Sequence, residues 1–193
     1  MNRDEVGTRI ETRRWTRRDY GRIIDARILH EDDRVELIEG RLIVAEPQHT
    51  PHAKAIELAA DAPRTAFGPG WRIRIQLPIA LEPDSEPEPD VSVVAGSPRD
   101  DGRDHPSHPA LVVEIADTSV RLDRTVKARV YARGGIAEYW IVNLIARVLE
   151  IHRRPRRRAG GHARYDTVAI AHPGESVQPL AASRPVAVDD LLP

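Results

Sequence analysis

Several residue types that would indicate particular functions are absent or rare in this sequence. The chain has no cysteine, which excludes disulfide bonds and thiolate zinc sites but leaves oxygen-ligated Mg²⁺ or Mn²⁺ open. Aromatic residues make up 4% of the chain, and the sequence shows no sugar-stacking aromatic cluster. No apolar run approaches the roughly 20 residues of a membrane span, and the N-terminus has no apolar signal segment. We therefore expect a cytoplasmic protein that makes no membrane contact.

Charge of one sign is also lacking, because 29 basic and 30 acidic residues give a formal net charge of −1. This balance gives no global basic footprint for nucleic acid, although a local basic groove is compatible with it. The basic residues are divided unevenly, since two lysines, Lys54 and Lys127, stand against twenty-seven arginines. Lysine and arginine are not interchangeable, because the arginine fork is wide and planar. We interpret Lys54 as an ordinary surface residue and consider Lys127 a candidate site residue.

The pattern of apolar residues predicts a single α/β (α+β) domain over residues 15–193, preceded by a flexible segment, residues 1–14. A mixed sheet flanked by helices is expected, with hairpins added on the C-terminal side. The predicted helices cover residues 15–29, 52–62 and 123–133, the last with Asp123 as its N-cap. The predicted strands cover residues 35–38, 41–45, 71–77, 91–94, 110–116, 138–142, 147–152 and 165–171.

Two carboxylates fall on predicted neighbouring strands. Glu114 lies in the nearly continuous apolar run of residues 110–116, where both faces of the sheet should be covered. A carboxylate there needs a cation or hydrogen bonds to offset its lost hydration. Asp90 follows Pro89 at the start of the preceding strand. The pair could approach one divalent ion, whereas the alternatives are a buried Glu–Arg pair for Glu114 and a strand-start turn for Asp90.

Lys127 lies on the predicted helix after the strand of Glu114, with Tyr131 four residues later on the same helical face. Both side chains can therefore point toward Glu114. Beside a metal ion, an ammonium group can orient an attacking water and stabilise negative charge on a phosphate. The alternative for Lys127 is an exposed helix lysine.

Four segments carry a family resemblance: VELIEGRLI, EPDVSVV, LVVEIADTS and DRTVKARVYARGGIAEYWIVN. In this order and spacing they resemble the Uma-two family of restriction-endonuclease-like proteins, which belongs to the PD-(D/E)XK nuclease superfamily. The resemblance covers roughly residues 15–190. It implies a restriction-endonuclease-like fold with four to five strands in a mixed sheet, and a Mg²⁺ or Mn²⁺ site on the strands of Asp90 and Glu114.

The resemblance also assigns catalytic roles. Asp90 and Glu114 match the superfamily carboxylates, but Ala116 occupies the usual lysine position, so the lysine is relocated to Lys127. Glu36, before the first hairpin turn, matches a recurring family glutamate that contacts metal or water.

Two further residues are accessory candidates. His52 matches a family histidine near the start of the following helix, and Tyr131 belongs to the Lys–Tyr helix of the family.

The leading functional hypothesis is a metal-dependent endonuclease that hydrolyses DNA phosphodiester bonds, acting as a homodimer. The alternative is a catalytically inactive nuclease-fold module that binds nucleic acid or a protein partner. A two-carboxylate glycoside hydrolase is poorer, because it gives Lys127 no role.

Four other features have structural and functional readings. His49 is either a capping residue or half of a metal-binding histidine pair with His52. The arginine run at residues 153–158 is interpreted as a solvated hairpin tip and alternatively as a phosphate site. The acidic loop at residues 82–88 would repel DNA locally, and Glu138 is interpreted as structural.

Overall fold

A mixed six-stranded β-sheet is central in the computed structural model, which describes residues 12–44, 49–100, 102, 104–157 and 163–193. Of the expected flexible segment 1–14, residues 1–11 lie outside this description. The strands are β1 (Val35–Ile38), β2 (Arg41–Val44), β3 (Trp71–Ile75), β4 (Val91–Ala95), β5 (Leu111–Ala116), β6 (Glu138–Asn143), β7 (Val148–Arg157), β8 (Ala163–Ala171), β9 (Ser176–Val177) and β10 (Val186–Ala187). The helices are α1 (Arg17–Asp25), α2 (Thr50–Phe67), α3 (Val120–Leu122) and α4 (Ala128–Gly134), and a π-helical turn, Asp123–Lys127, joins the last two.

The strand order of the large sheet is β3-β4-β5-β6-β7-β8. Only the β5–β6 pair is parallel, and its connection passes through α3, the π-helical turn and α4. A parallel pair requires such a crossover, whereas antiparallel neighbours can be joined by short turns. The predicted mixed α/β fold is therefore confirmed. The sheet exceeds the expected four to five strands because the β7–β8 hairpin continues it.

Helices cover both faces of the central strands. All six residues of β5 are buried, as expected for a strand with two covered faces. On one face, Ile56 of α2 packs in an apolar cluster with Val113. On the other face, Val130 of α4 packs with Val112. Among the described helices, none combines the length and apolar character needed to cross a bilayer.

The first two helices differ from their predicted bounds. The first begins at Arg17 rather than Trp15, because Thr16 is its N-cap and forms a reciprocal capping box with Asp19. The second is longer than predicted and continues through Pro63 to Phe67.

The predicted role of Asp123 as an N-cap is wrong. The helical segment begins three residues earlier, and Asp123 lies inside the π-helical turn, where its carboxylate accepts a hydrogen bond from Ser119 Oγ at 2.5 Å. The end of the segment agrees with the sequence, because Gly135 adopts a left-handed conformation with φ 79°.

The β1–β2 hairpin is fixed to the acidic loop. Its turn, Glu39-Gly40, has positive φ at both residues, and a Cβ on Gly40 would come within 2.8 Å of Arg14 Cβ. Glu86 N donates to Leu37 O at 2.7 Å, and the Gly40 amide bonds the loop as well. This attachment fixes β1, and with it Glu36, beside the large sheet. The predicted residue Ala45 of the second strand lies outside the described residues.

Arginines neutralise much of the acidic loop. Arg17 forms ion pairs with Glu82 and Glu86, and Arg133 forms one with Asp84. The local repulsion of DNA expected from the sequence is therefore weakened.

The arginine run does not form a hairpin tip as predicted, because β7 continues to Arg157. Arg158 lies outside the described residues. Within β7, Arg153 donates to the fully buried carboxylate of Glu138, which also accepts from Trp140 Nε1 at 2.9 Å and from Leu180 N at 2.6 Å. This arrangement agrees with a structural role for Glu138.

We predict that Glu138→Ala lowers the free energy of unfolding by about 3 kcal/mol, since it leaves the Arg153 guanidinium, the buried Trp140 Nε1 and the Leu180 amide without their acceptor. Urea denaturation followed by circular dichroism measures the change. Glu57→Ala, at an exposed position of α2, is the control and should shift the free energy by less than about 0.5 kcal/mol. Equal effects of the two substitutions would contradict the prediction.

Candidate active site

Strand register brings Asp90 beside Glu114. The antiparallel β4–β5 ladder pairs Val91 with Val113, so the next position along the ladder sets Asp90 opposite Glu114. Asp90 Oδ2 accepts a hydrogen bond from Ile115 N at 2.8 Å, which fixes the carboxylate against the backbone of β5. Two carboxylates thus lie at neighbouring strand ends, and both are buried.

Lys127 and Tyr131 both reach the carboxylate of Glu114. Lys127 Nζ donates to Oε1 at 2.9 Å, and Tyr131 OH donates to the same oxygen at 2.5 Å. Lys127 is 9% exposed and Tyr131 is fully buried, so the alternative of an exposed helix lysine is wrong. The alternative Glu–Arg pair for Glu114 is also wrong, because its partner is this lysine.

Glu36 of β1 approaches the same ammonium group. Its Oε2 lies 3.9 Å from Lys127 Nζ, and this buried oxygen has no hydrogen-bond partner among the described residues. A buried acceptor without a partner is unusual in proteins and indicates a strain or functional position. Glu36 therefore offers a free oxygen beside the Lys127–Glu114 pair.

Two polar side chains contact Asp90 from other elements. His52, in the first turn of α2, has its Nε2 at 3.3 Å from Asp90 Oδ1, and Gln76 Nε2 lies 3.5 Å from the same oxygen. Gln76 has a positive φ of 49°, a conformation that residues other than glycine rarely adopt. His49 is the N-cap residue of α2, but its side chain makes no capping hydrogen bond.

Burial shifts the pKa values of this cluster. Loss of hydration raises the pKa of Glu114, whereas the Lys127 ammonium acts against this shift and favours the charged carboxylate. Burial also raises the pKa of Asp123 to about 6. For Lys127 burial acts to lower the pKa, but the surrounding carboxylates outweigh it and raise the pKa, so the ammonium keeps its charge.

A cleft of about 880 Å³ collects these side chains. Glu36, His52, Asp90, Glu114 and Lys127 line it, and Tyr131 is bonded to Glu114 without being among the lining residues. The structure thus brings together every side chain for which the sequence predicted a site role.

Sequence reasoning missed Asp123, Glu88 and Gln76, which line the same cleft. The spacing of four residues between Asp123 and Lys127 could have identified the first, because residues at that spacing share a helical face. Glu88 belongs to the acidic loop at residues 82–88, but in the structure it also lines the cleft. Desolvation there raises its pKa.

Carboxylate oxygens in the cleft are the candidate ligands for a divalent ion. No group of three or more histidine, aspartate or glutamate side chains in the described part of the chain is arranged to hold a metal. Mg²⁺, however, is often held by one or two carboxylates, with waters and substrate phosphates completing its shell. Asp90 and Glu114 supply such a pair, and the orphaned Oε2 of Glu36 lies near it. The residues therefore fit a metal with few protein ligands.

A mixed sheet flanked by helices, with a carboxylate pair at its strand ends, defines the class as a restriction-endonuclease-like α/β protein. A family model, Uma2, described as "Putative restriction endonuclease", matches residues 18–186. The chain belongs to this family, which is the one that its motifs resemble.

One solved structure similar to this chain is the crystal structure of a "putative nuclease belonging to DUF820" from Anabaena variabilis. The TM-score is 0.66, with 17% identity and coverage of 86% of this chain and 94% of that chain. At this identity the likeness supports the fold. No curated protein matches the chain.

We predict that Lys127→Met lowers the free energy of unfolding of the metal-free protein by about 3 kcal/mol, because it leaves buried carboxylates without their cation. The double variant Lys127→Met/Glu114→Gln should be less destabilised than the sum of the single variants, because the two groups interact directly. Urea denaturation in the presence of a chelator measures both values.

Lys54→Met is the matched control, since it removes the other lysine of the chain at an exposed position. We expect it to change the free energy of unfolding by less than about 0.5 kcal/mol. Strict additivity of the Lys127 and Glu114 substitutions would show that the pair does not stabilise the fold.

Proposed function

We propose that the protein is a Mg²⁺- or Mn²⁺-dependent endonuclease that hydrolyses DNA phosphodiester bonds. The observation that carries the proposal is the Asp90–Glu114 carboxylate pair at adjacent strand ends, with the Lys127 ammonium 2.9 Å from Glu114. Family membership supports the same reaction class. Asp90 and Glu114 would hold the ion, and Lys127 would position the attacking water from the helical segment that follows the strand of Glu114.

A bound divalent ion polarises a phosphoryl oxygen and lowers the pKa of a coordinated water. The remaining chemistry falls to side chains of the chain itself. The Lys127 ammonium keeps its positive charge in the cleft and can stabilise negative charge that develops on the phosphate. Glu36 adds a free acceptor oxygen near the ammonium, where it can orient a water molecule.

Tyr131 and His52 act by positioning the carboxylates. The Tyr131 hydroxyl holds Oε1 of Glu114, and His52 contacts Oδ1 of Asp90. Groups held by such bonds lose little freedom when substrate arrives, which favours catalysis.

We predict that the purified protein nicks or cuts plasmid DNA when Mg²⁺ or Mn²⁺ is present. Asp90→Asn, Glu114→Gln and Lys127→Met should each lower the cleavage rate by at least about a hundredfold, because each removes a charge from the reacting centre. Agarose gel analysis of supercoiled, nicked and linear plasmid measures the rates. Folding of every variant is checked by circular dichroism.

Lys54→Met and Glu57→Gln change exposed residues outside the cleft and should cut at the wild-type rate, so they control for the effect of substitution as such, whereas loss of cleavage in the site variants excludes a copurified nuclease. Equal cleavage by the wild type and all three site variants would refute the assigned site. No cleavage by the wild type of any DNA or RNA tested would favour the inactive binding module.

Metal binding can be tested separately from cleavage. We predict that Mn²⁺ binds the wild type with a dissociation constant of about 1 mM or lower, and that Glu114→Ala abolishes the binding heat in isothermal titration calorimetry. Lys54→Ala should retain it. Undetectable binding to a folded wild-type protein would argue against a resident ion and for the inactive module.

A further inference from the structure

The lining of the cleft is acidic, which is unexpected for a site that receives a polyanion. Among the described lining residues, six carry carboxylates and three carry basic charge, apart from two histidines. The carboxylates are Glu36, Glu88, Asp90, Glu114, Asp117 and Asp123, and the basic residues are Arg34, Arg121 and Lys127. A nucleic acid strand that enters the cleft therefore needs cationic side chains that are not already paired with carboxylates of the cleft.

Lys127 cannot bind the phosphates along a nucleic acid strand, because it is buried and bonded to Glu114. Arg34 and Arg121 differ from Lys127 both in exposure and in pairing. Both are exposed, and in the ranges that the structure describes neither side chain forms an ion pair. Other arginines close to carboxylates, such as Arg129 with Glu39, are paired.

We propose that Arg34 and Arg121 bind backbone phosphates of a nucleic acid strand that enters the cleft. This inference rests on the proposed nuclease function and extends it to substrate binding. Arginine suits the task because its planar fork binds phosphate oxygens in pairs and stays charged at all working pH values.

The positions of the two arginines favour phosphate contacts over solvation. They come from separate segments that meet at the cleft, Arg34 directly before β1 and Arg121 within α3. Arg34 has a left-handed backbone with φ 46° and ψ 54°, a conformation that residues other than glycine rarely adopt. It lies close enough to Glu88 to act electrostatically on that residue, which puts its charge at the cleft.

Binding is tested with a fluorescein-labelled DNA strand of about 20 nucleotides and its duplex, in Ca²⁺, over about 50 to 200 mM KCl. Arg34→Ala and Arg121→Ala should each weaken binding about fivefold, and each should make the slope of log K against log salt shallower by about 1. Arg34→Lys and Arg121→Lys should restore most of the slope, because they keep the charge. Fluorescence anisotropy gives the binding constants.

Arg18→Ala and Arg184→Ala remove exposed arginines outside the cleft and should leave the salt slope unchanged. If the wild type binds the probe and Arg34→Ala and Arg121→Ala both show the wild-type salt slope, this inference is wrong and the proposed function is unaffected. Wild-type protein that neither binds nor cuts any probe would overturn the proposed function together with it.

A second readout separates binding from chemistry. The first-order cleavage rate at saturating protein reports the reacting centre and should fall far less in the arginine variants than in Glu114→Gln. A loss as large as that of Glu114→Gln would show that the arginines act in the reaction itself, which would also overturn the inference.

Discussion

The buried hydrogen-bonded ion pair between Lys127 and Glu114 is the interaction on which the cleft depends. Burying either charge alone would cost several kcal/mol, so each group is tolerable in the interior because the other is present. The bond also joins the central strand β5 to the π-helical turn that follows it along the chain. Tyr131 adds a second donor to the same oxygen and limits the rotation of the carboxylate.

The second constraint is the register of β4 and β5. Because side chains alternate along a strand, a slip of one residue would move Glu114 to the face covered by α2 and away from Lys127. The ladder pair Val91–Val113 and the bond from Ile115 N to Asp90 fix the register from both sides of the site. Apolar packing therefore determines where the two carboxylates meet, although no apolar residue takes part in the proposed chemistry.

The sequence predicted what depends on local pattern and missed what depends on tertiary contacts. The apolar run of β5 and the Gly135 helix end follow from composition and backbone freedom, and both are found. In β3, strict alternation of apolar and charged residues predicts a buried Ile75 and an exposed Arg74, but Arg74 is buried and donates to Pro78 O while Ile75 is exposed. No local signal specified the π-helical turn that contains Asp123, although the four-residue spacing of Asp123 and Lys127 indicates a shared helical face.

The packing around Ala116 explains why Glu114 pairs with a lysine from the following helical segment and not with one on its own strand. Positions 114 and 116 share one face of β5, and Ala116 is fully buried there in the apolar cluster that includes Tyr131 and Ala128. A lysine at position 116 would have to displace α4, which contains Ala128 and Tyr131. The small alanine lets α4 pack close to β5. The helix then supplies the ammonium group from Lys127. In this chain, the positive charge beside Glu114 therefore comes from the helix packed on β5 and not from β5 itself.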